Sequence, residues 1–130
     1  MSDGDGMQPI RVMHVEDHAD FRNLMQILLD GQSDIEVVAQ AGSLVEARAH
    51  AASSDFDVAV LDLGLPDGNG LDLIPDLRQV NPGVGVLVLS ANLDPADPEK
   101  APGTGADEIL DKLAPVEAVI DSVRKLGIKD

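Results

Sequence analysis

Four apolar residues, Val58-Ala59-Val60-Leu61, run without interruption into an acid, Asp62. A turn rich in Gly and Pro follows at once: Leu63-Gly64-Leu65-Pro66-Asp67-Gly68-Asn69-Gly70. A short unbroken apolar run bounded by a turn reads as a strand buried on both faces, as the strands of parallel sheets are. In such sheets ligands gather outside the carboxyl ends of the strands. Asp62 is therefore expected at the edge where the fold does its chemistry.

The remaining chain alternates in the same way. Ile10 to Val15 is β-rich and ends in Glu16-Asp17, and Phe21, Leu24, Met25 and Leu28 follow at helical spacing, with Gly31 as a stop. Ile35 to Ala39 is a short second strand. Ser43-Leu44-Val45-Glu46 matches a capping box and opens an Ala-rich helix to about Ser54. Asp57 to Asp62 is the third strand. Leu71, Leu73, Ile74, Leu77 and Val80 mark the next helix, closed by Asn81-Pro82-Gly83. Val84 to Leu89 is a fourth strand, ending at Ser90-Ala91-Asn92. Between Leu93 and Gly105 stand Pro95, Pro98 and Pro102, so a short or broken helix is expected there. Glu108-Ile109-Leu110 is the fifth strand, with Lys112 just after it. Pro115 opens a final helix through Val116, Val119, Ile120 and Val123, ended by Gly127.

Five strands alternating with helices predict a doubly wound parallel sheet with helices on both faces. The predicted domain runs over 10–127, after a polar tail over 1–9. At 130 residues the chain can bury a full core, and with 2% aromatic residues that core must be aliphatic. A net charge of -15 would repel a phosphate backbone, so direct nucleic-acid binding is not expected. A cation or a basic protein surface is the expected counterpart. The absence of Cys excludes disulfides, thiolate metal sites and Cys nucleophiles. No apolar run approaches membrane-spanning length and the first residues are too polar for a signal peptide, so a cytoplasmic location is expected.

A parallel sheet would bring four strand ends to one edge: Glu16 and Asp17 from the first, Asp62 from the third, Ser90 from the fourth and Lys112 from the fifth. Each has a plainer reading. Asp17 could cap the first helix, Ser90 could be a turn residue, and Lys112 a solvated charge. Together, three carboxylates in one cleft would raise each other's pKa values, and a hard divalent cation such as Mg²⁺ would relieve the repulsion. A solvated cluster without metal is the alternative. His14, His18 and His50 have no metal-ligand spacing; His14 is expected on its strand, His18 and His50 on exposed helix surface.

Glu16-Asp17, the Asp62 to Gly70 stretch, Ser90-Ala91 and Lys112 resemble, in order and spacing, the receiver domain of bacterial two-component response regulators. The resemblance extends from about Ile10 to Leu126. It implies a flavodoxin-like sheet of order 2-1-3-4-5. It implies that Asp62 accepts a phosphoryl group from a phosphohistidine on a sensor histidine kinase or phosphotransfer protein. It implies Mg²⁺ held by Glu16, Asp17, Asp62 and the Gly64 carbonyl. Lys112 and Ser90 would contact phosphoryl oxygens, beside a small Ala91. A downstream protein partner and a homodimer are implied as outputs, and no enzymatic activity beyond the chain's own phosphoryl transfer and dephosphorylation. The family's aromatic switch residue, three positions before the lysine, is Ile109 here. That departure motivates the alternative of an interaction or scaffold module that works without phosphorylation. An aspartyl phosphatase, a third reading, would want a second acid where Gly64 stands.

Overall fold

A computed structural model describes residues 8–90 and 105–128. In chain order the elements are β1 (Ile10–Val15), α1 (Ala19–Asp30), β2 (Ile35–Ala41), α2 (Leu44–Ser53) and β3 (Val58–Asp62). A small hairpin follows, β4 (Gly64–Leu65) and β5 (Gly68–Asn69), then a 3-10 turn (Gly70–Leu73) running into α3 (Ile74–Val80). The chain closes with β6 (Gly85–Ser90), β7 (Glu108–Asp111) and α4 (Val116–Gly127). The large sheet has the order β2-β1-β3-β6-β7, with every pair parallel. With the hairpin strands set aside, this is the expected 2-1-3-4-5. The irregular helix expected after β6 falls on 91–104, outside the described residues, as does 1–7 of the tail.

Alternation along the strands builds two aliphatic layers. Met13, Val15, Ala59, Leu61, Val86 and Val88 face α2 and α3, meeting Leu44, Ala47, Ala51, Leu73, Ile74 and Leu77. Val12, Val58, Val60, Leu87 and Leu89 face α1 and α4, meeting Met25, Leu29, Val119, Ile120 and Val123. All five residues of β3 are buried, as its unbroken apolar run predicts for the central strand. Gly85 lets α4 lie close on β6, because a Cβ there would meet the Leu126 Cβ at 2.7 Å.

Several local details differ from expectation. Leu24 and Val80 point outward, about half exposed; the inward stripe of α1 continues at Leu29 instead. The N-cap of α1 is His18, whose Nδ1 accepts from the Phe21 N–H at 3.3 Å, so Asp17 is not the cap. Gly31 caps α1 in a right-handed conformation, so no left-handed stop is needed. The capping box of α2 is half closed. Ser43 Oγ accepts from the Glu46 N–H at 3.1 Å, but the Glu46 carboxylate takes the Gly42 N–H at 2.6 Å rather than that of the cap. Among the described residues no helix is long and apolar enough to cross a membrane.

Candidate functional site

The parallel sheet brings the polar strand ends to one edge. β1 delivers Glu16 and Asp17 beside the end of β3, where Asp62 stands. Asp62 pairs in register with Leu89, and Ser90 with Asp111, which sets Ser90 and Lys112 on the next two strand ends. The Lys112 N–H continues that ladder to the Ser90 carbonyl at 3.1 Å.

The Lys112 ammonium lies 2.7 Å from Glu16 Oε1 and 3.1 Å from Asp62 Oδ2. It also sits 5.1 Å from the centroid of the Phe21 ring, within cation–π range. One carboxylate oxygen each from Glu16, Asp17 and Asp62 falls within 4.8 Å of the others. Glu16 is buried at 1% exposure, Asp62 at 8%, and Asp17 is exposed. Glu16 Oε2 accepts from the His18 N–H at 3.1 Å. Its Oε1 is buried and faces the Lys112 ammonium. Gly64 donates a long contact to Asp62 Oδ1 at 3.4 Å, and the space a Cβ would fill at Gly64 is open.

These environments shift two site groups. Burial pushes the Glu16 carboxyl upward, Lys112 and the His18 N–H hold it down in part, and the negative Asp62 adds to the rise. Mutual repulsion of the acids is thus present, but burial is the larger cause. Burial alone would lower Lys112; the hydrogen bonds and charges of Glu16 and Asp62 outweigh it and raise the lysine above its ordinary value. Next to the site, His14 is buried and its pKa falls to about 4, by desolvation first and then by the charges of Arg22 and Lys112. No histidine joins the acidic group.

A metal fits this donor set. Three carboxylates, each with an oxygen within 4.8 Å of the others, form an all-oxygen environment suited to a hard cation. The buried Glu16 Oε1, whose described partner is the Lys112 ammonium, keeps a further acceptor position. A cleft of about 500 Å³ opens beside it, lined by Glu16, Asp17, His18, Phe21, Lys112 and Leu113.

Glu16, Asp17, Asp62 and Lys112 are thus brought together, with Gly64 adjoining and Ser90 on the neighbouring strand end. Ala91 lies outside the described residues. Supporting residues went unnoticed in the sequence. Arg22 Nη1 donates to the Glu16 carbonyl at 2.6 Å, pinning the chain just before Asp17. Gly70 packs so closely on Asp62 that a Cβ would collide with the Asp62 carbonyl oxygen. Asp67 reaches the start of α2. Only Gly70 and Asp67 carried any signal, as members of the turn after Asp62.

A family model described as "Response regulator receiver domain" matches residues 12–124. The chain belongs to this family. As a receiver of two-component systems it is similar to the KDP operon transcriptional regulatory protein KdpE of Escherichia coli (strain K12). The two are 41% identical over 101 residues, 78% of this chain and 44% of that protein. The response regulator domain of Thermotoga maritima CheB shares the fold with a TM-score of 0.81 at 23% identity, over 95% of this chain and 100% of that one. A Burkholderia pseudomallei response regulator, described with a phosphorylated aspartic acid, calcium ion and citrate, has a TM-score of 0.76 at 27% identity. It aligns over 88% of this chain and 66% of that one. The receiver spans about a fifth to just over half of the length of the curated relatives it matches, 21 to 56%.

Proposed function

We propose that this receiver, over 10–127, takes a phosphoryl group onto Asp62 from a phosphohistidine of a kinase or phosphotransfer protein, and that the product alters its contacts with a downstream protein or a second copy. The observation that carries the reading is the Lys112 ammonium, in ion-pair reach of both Glu16 and Asp62 with Asp17 alongside. The phosphorylated aspartic acid described for the Burkholderia pseudomallei relative supports it.

An Asp62 oxygen forms the new P–O bond as the P–N bond to the donor imidazole breaks, and the imidazole leaves with the electron pair and takes up a proton. The nucleophile is a carboxylate and needs no general base. Lys112 orients the Asp62 carboxylate before attack and offers its positive charge to a phosphoryl oxygen afterwards. Ser90 would donate its hydroxyl to another. Glu16 keeps Lys112 charged and aimed. Glu16, Asp17, Asp62 and the Gly64 carbonyl would hold Mg²⁺. Once bound, that ion neutralises charge on the transferred group. Phe21 and Leu113 give one side of the cleft an apolar lining.

Incubation with Mg²⁺ and acetyl phosphate, read by intact mass, should add one phosphoryl group to the wild type and none to Asp62→Asn. An unmodified wild type, or equal labelling of the variant, refutes the proposal. One observation favours the phosphorylation-independent scaffold as a second reading. Ile109, partly buried against the core in place of the family's aromatic switch residue, provides no such ring. Under that reading beryllofluoride leaves partner binding unchanged.

A further inference from the structure

The hairpin that carries Gly64 is too short to hold itself. β4 and β5 pair through two residues each, Gly64 with Asn69 and Leu65 with Gly68, and isolated two-stranded ribbons are marginal even when longer. Its base is fastened: the Gly70 N–H donates to the Leu63 carbonyl at 2.8 Å, and Leu65 is buried. Gly64 itself is exposed and nothing packs where a side chain would be, so apart from its long N–H contact to Asp62 Oδ1 its position follows the hairpin.

The tip of that loop is tied elsewhere. Asp67 Oδ1 accepts from the Leu44 N–H at 2.8 Å and Oδ2 from the Val45 N–H at 3.1 Å. These are the first two residues of α2, whose leading N–H groups have no partner within the helix. Ser43 satisfies only the third, Glu46. Beside Asp67, Gly68 adopts φ 150° and lies so near that a Cβ would meet Leu44 Cδ1 at 2.8 Å. The anchor is firm: Leu44, Ala47 and Ala51 are buried, and Arg48 Nε pairs with Asp76 on α3 at 2.8 Å. The Leu44 N–H first, with the Val45 N–H, holds the Asp67 carboxyl below the usual range, so the bidentate acceptor stays ionised.

We infer that Asp67 is a positioning residue: its carboxylate clamps the loop after Asp62 to the N-terminus of α2 and so fixes the Gly64 carbonyl for the divalent cation. The inference rests on the phosphoacceptor reading above. It assigns Asp67 no contact with the phosphoryl group.

Calorimetric titration of the whole chain with Mg²⁺ tests it, together with the rate of labelling by acetyl phosphate and thermal melting. Removing a residue that orients a metal ligand weakens binding by about 10-fold or more, the effect expected for Asp67→Ala on the Mg²⁺ dissociation constant, with slower labelling. Asp67→Asn keeps one acceptor oxygen and should fall between. Val45→Pro removes one donor from the other side, at an exposed first-turn position whose N–H has no partner within the helix, and should weaken Mg²⁺ in the same direction, with thermal melting checking that α2 is kept. Ser43→Ala uncaps the same helix without touching the loop; it should lower the melting temperature and leave Mg²⁺ affinity alone. The clamp is overturned if Asp67→Ala binds Mg²⁺ as the wild type does, or if Ser43→Ala weakens binding equally. A wild type that neither binds Mg²⁺ nor becomes labelled overturns the phosphoacceptor reading itself, and the clamp with it.

Discussion

Replacing Lys112 with Met should leave two buried carboxylates facing each other with no cation between them. In the wild type the ammonium, itself only 17% exposed in its side chain, serves Glu16 at 2.7 Å and Asp62 at 3.1 Å. Removing one member of a buried ion pair costs about 3–5 kcal/mol, because the partner stays desolvated and uncompensated. Here the cleft admits water at one side, which favours the low end, about 3 kcal/mol. For a domain of this size that lowers the melting temperature by about 10 °C. The deficit should depend on pH with a definite sign. Glu16 already has a raised folded-state pKa, and losing Lys112 removes the charge that holds it down, so it rises further. A carboxyl whose folded pKa exceeds its unfolded one binds more protons folded, so its stability contribution grows as pH falls through that window. The gap between variant and wild type should therefore narrow as pH falls from neutral towards the ordinary carboxylate range. Adding Glu16→Gln should recover much of the loss. The chain has no Trp or Tyr, so urea unfolding is followed by far-ultraviolet circular dichroism. A deficit that stays constant across that pH range, or that Glu16→Gln fails to reduce, would refute the reasoning.

His14, buried with a pKa lowered from 6.5 to about 4, is neutral when folded and charges when unfolded. Its contribution is complete above about pH 6.5 and is lost as pH falls towards about 4, up to about 3 kcal/mol. His14→Leu should flatten that limb of a stability–pH profile measured by urea titration. Gly85→Ala should cost about 1–3 kcal/mol in the same unfolding assay, because the new methyl drives α4 off β6 at Leu126. Gly70→Ala should displace the loop from the Asp62 carbonyl and slow labelling by acetyl phosphate about 10-fold or more, a loss read by intact mass.

The sheet was legible because its strands are buried on both faces. Val58 to Leu61 and Val86 to Leu89 have no polar side to conceal, and their run length separates them from helices. The site was legible for a related reason: parallel strands share one carboxyl edge, so residues far apart in sequence could be assigned to one cleft from topology alone. Helix faces were harder. Spacing alone allowed Leu24 into the stripe of α1, but the sheet lies on the side of Met25 and Leu29. Adjacency left Asp17 open as a cap as well as a site residue; the structure caps with His18, and Asp17 lies with the acidic group. The Asp67 clamp had no such signal, since its donors lie 22 and 23 residues earlier. Nor did the Arg22 contact with the Glu16 carbonyl, which depends on how α1 rests against the end of β1.

The scarcity of aromatic residues turns into an instrument. Of the two phenylalanines, Phe21 lies 5.1 Å beneath the Lys112 ammonium and its ring centroid is 6.4 Å from that of His14, whereas Phe56 is buried where β3 begins, at the opposite end from Asp62. Fluorine substituted into both rings would give a spectrum of two resonances. One would follow any change of charge around the lysine, and the other would stand as an internal reference.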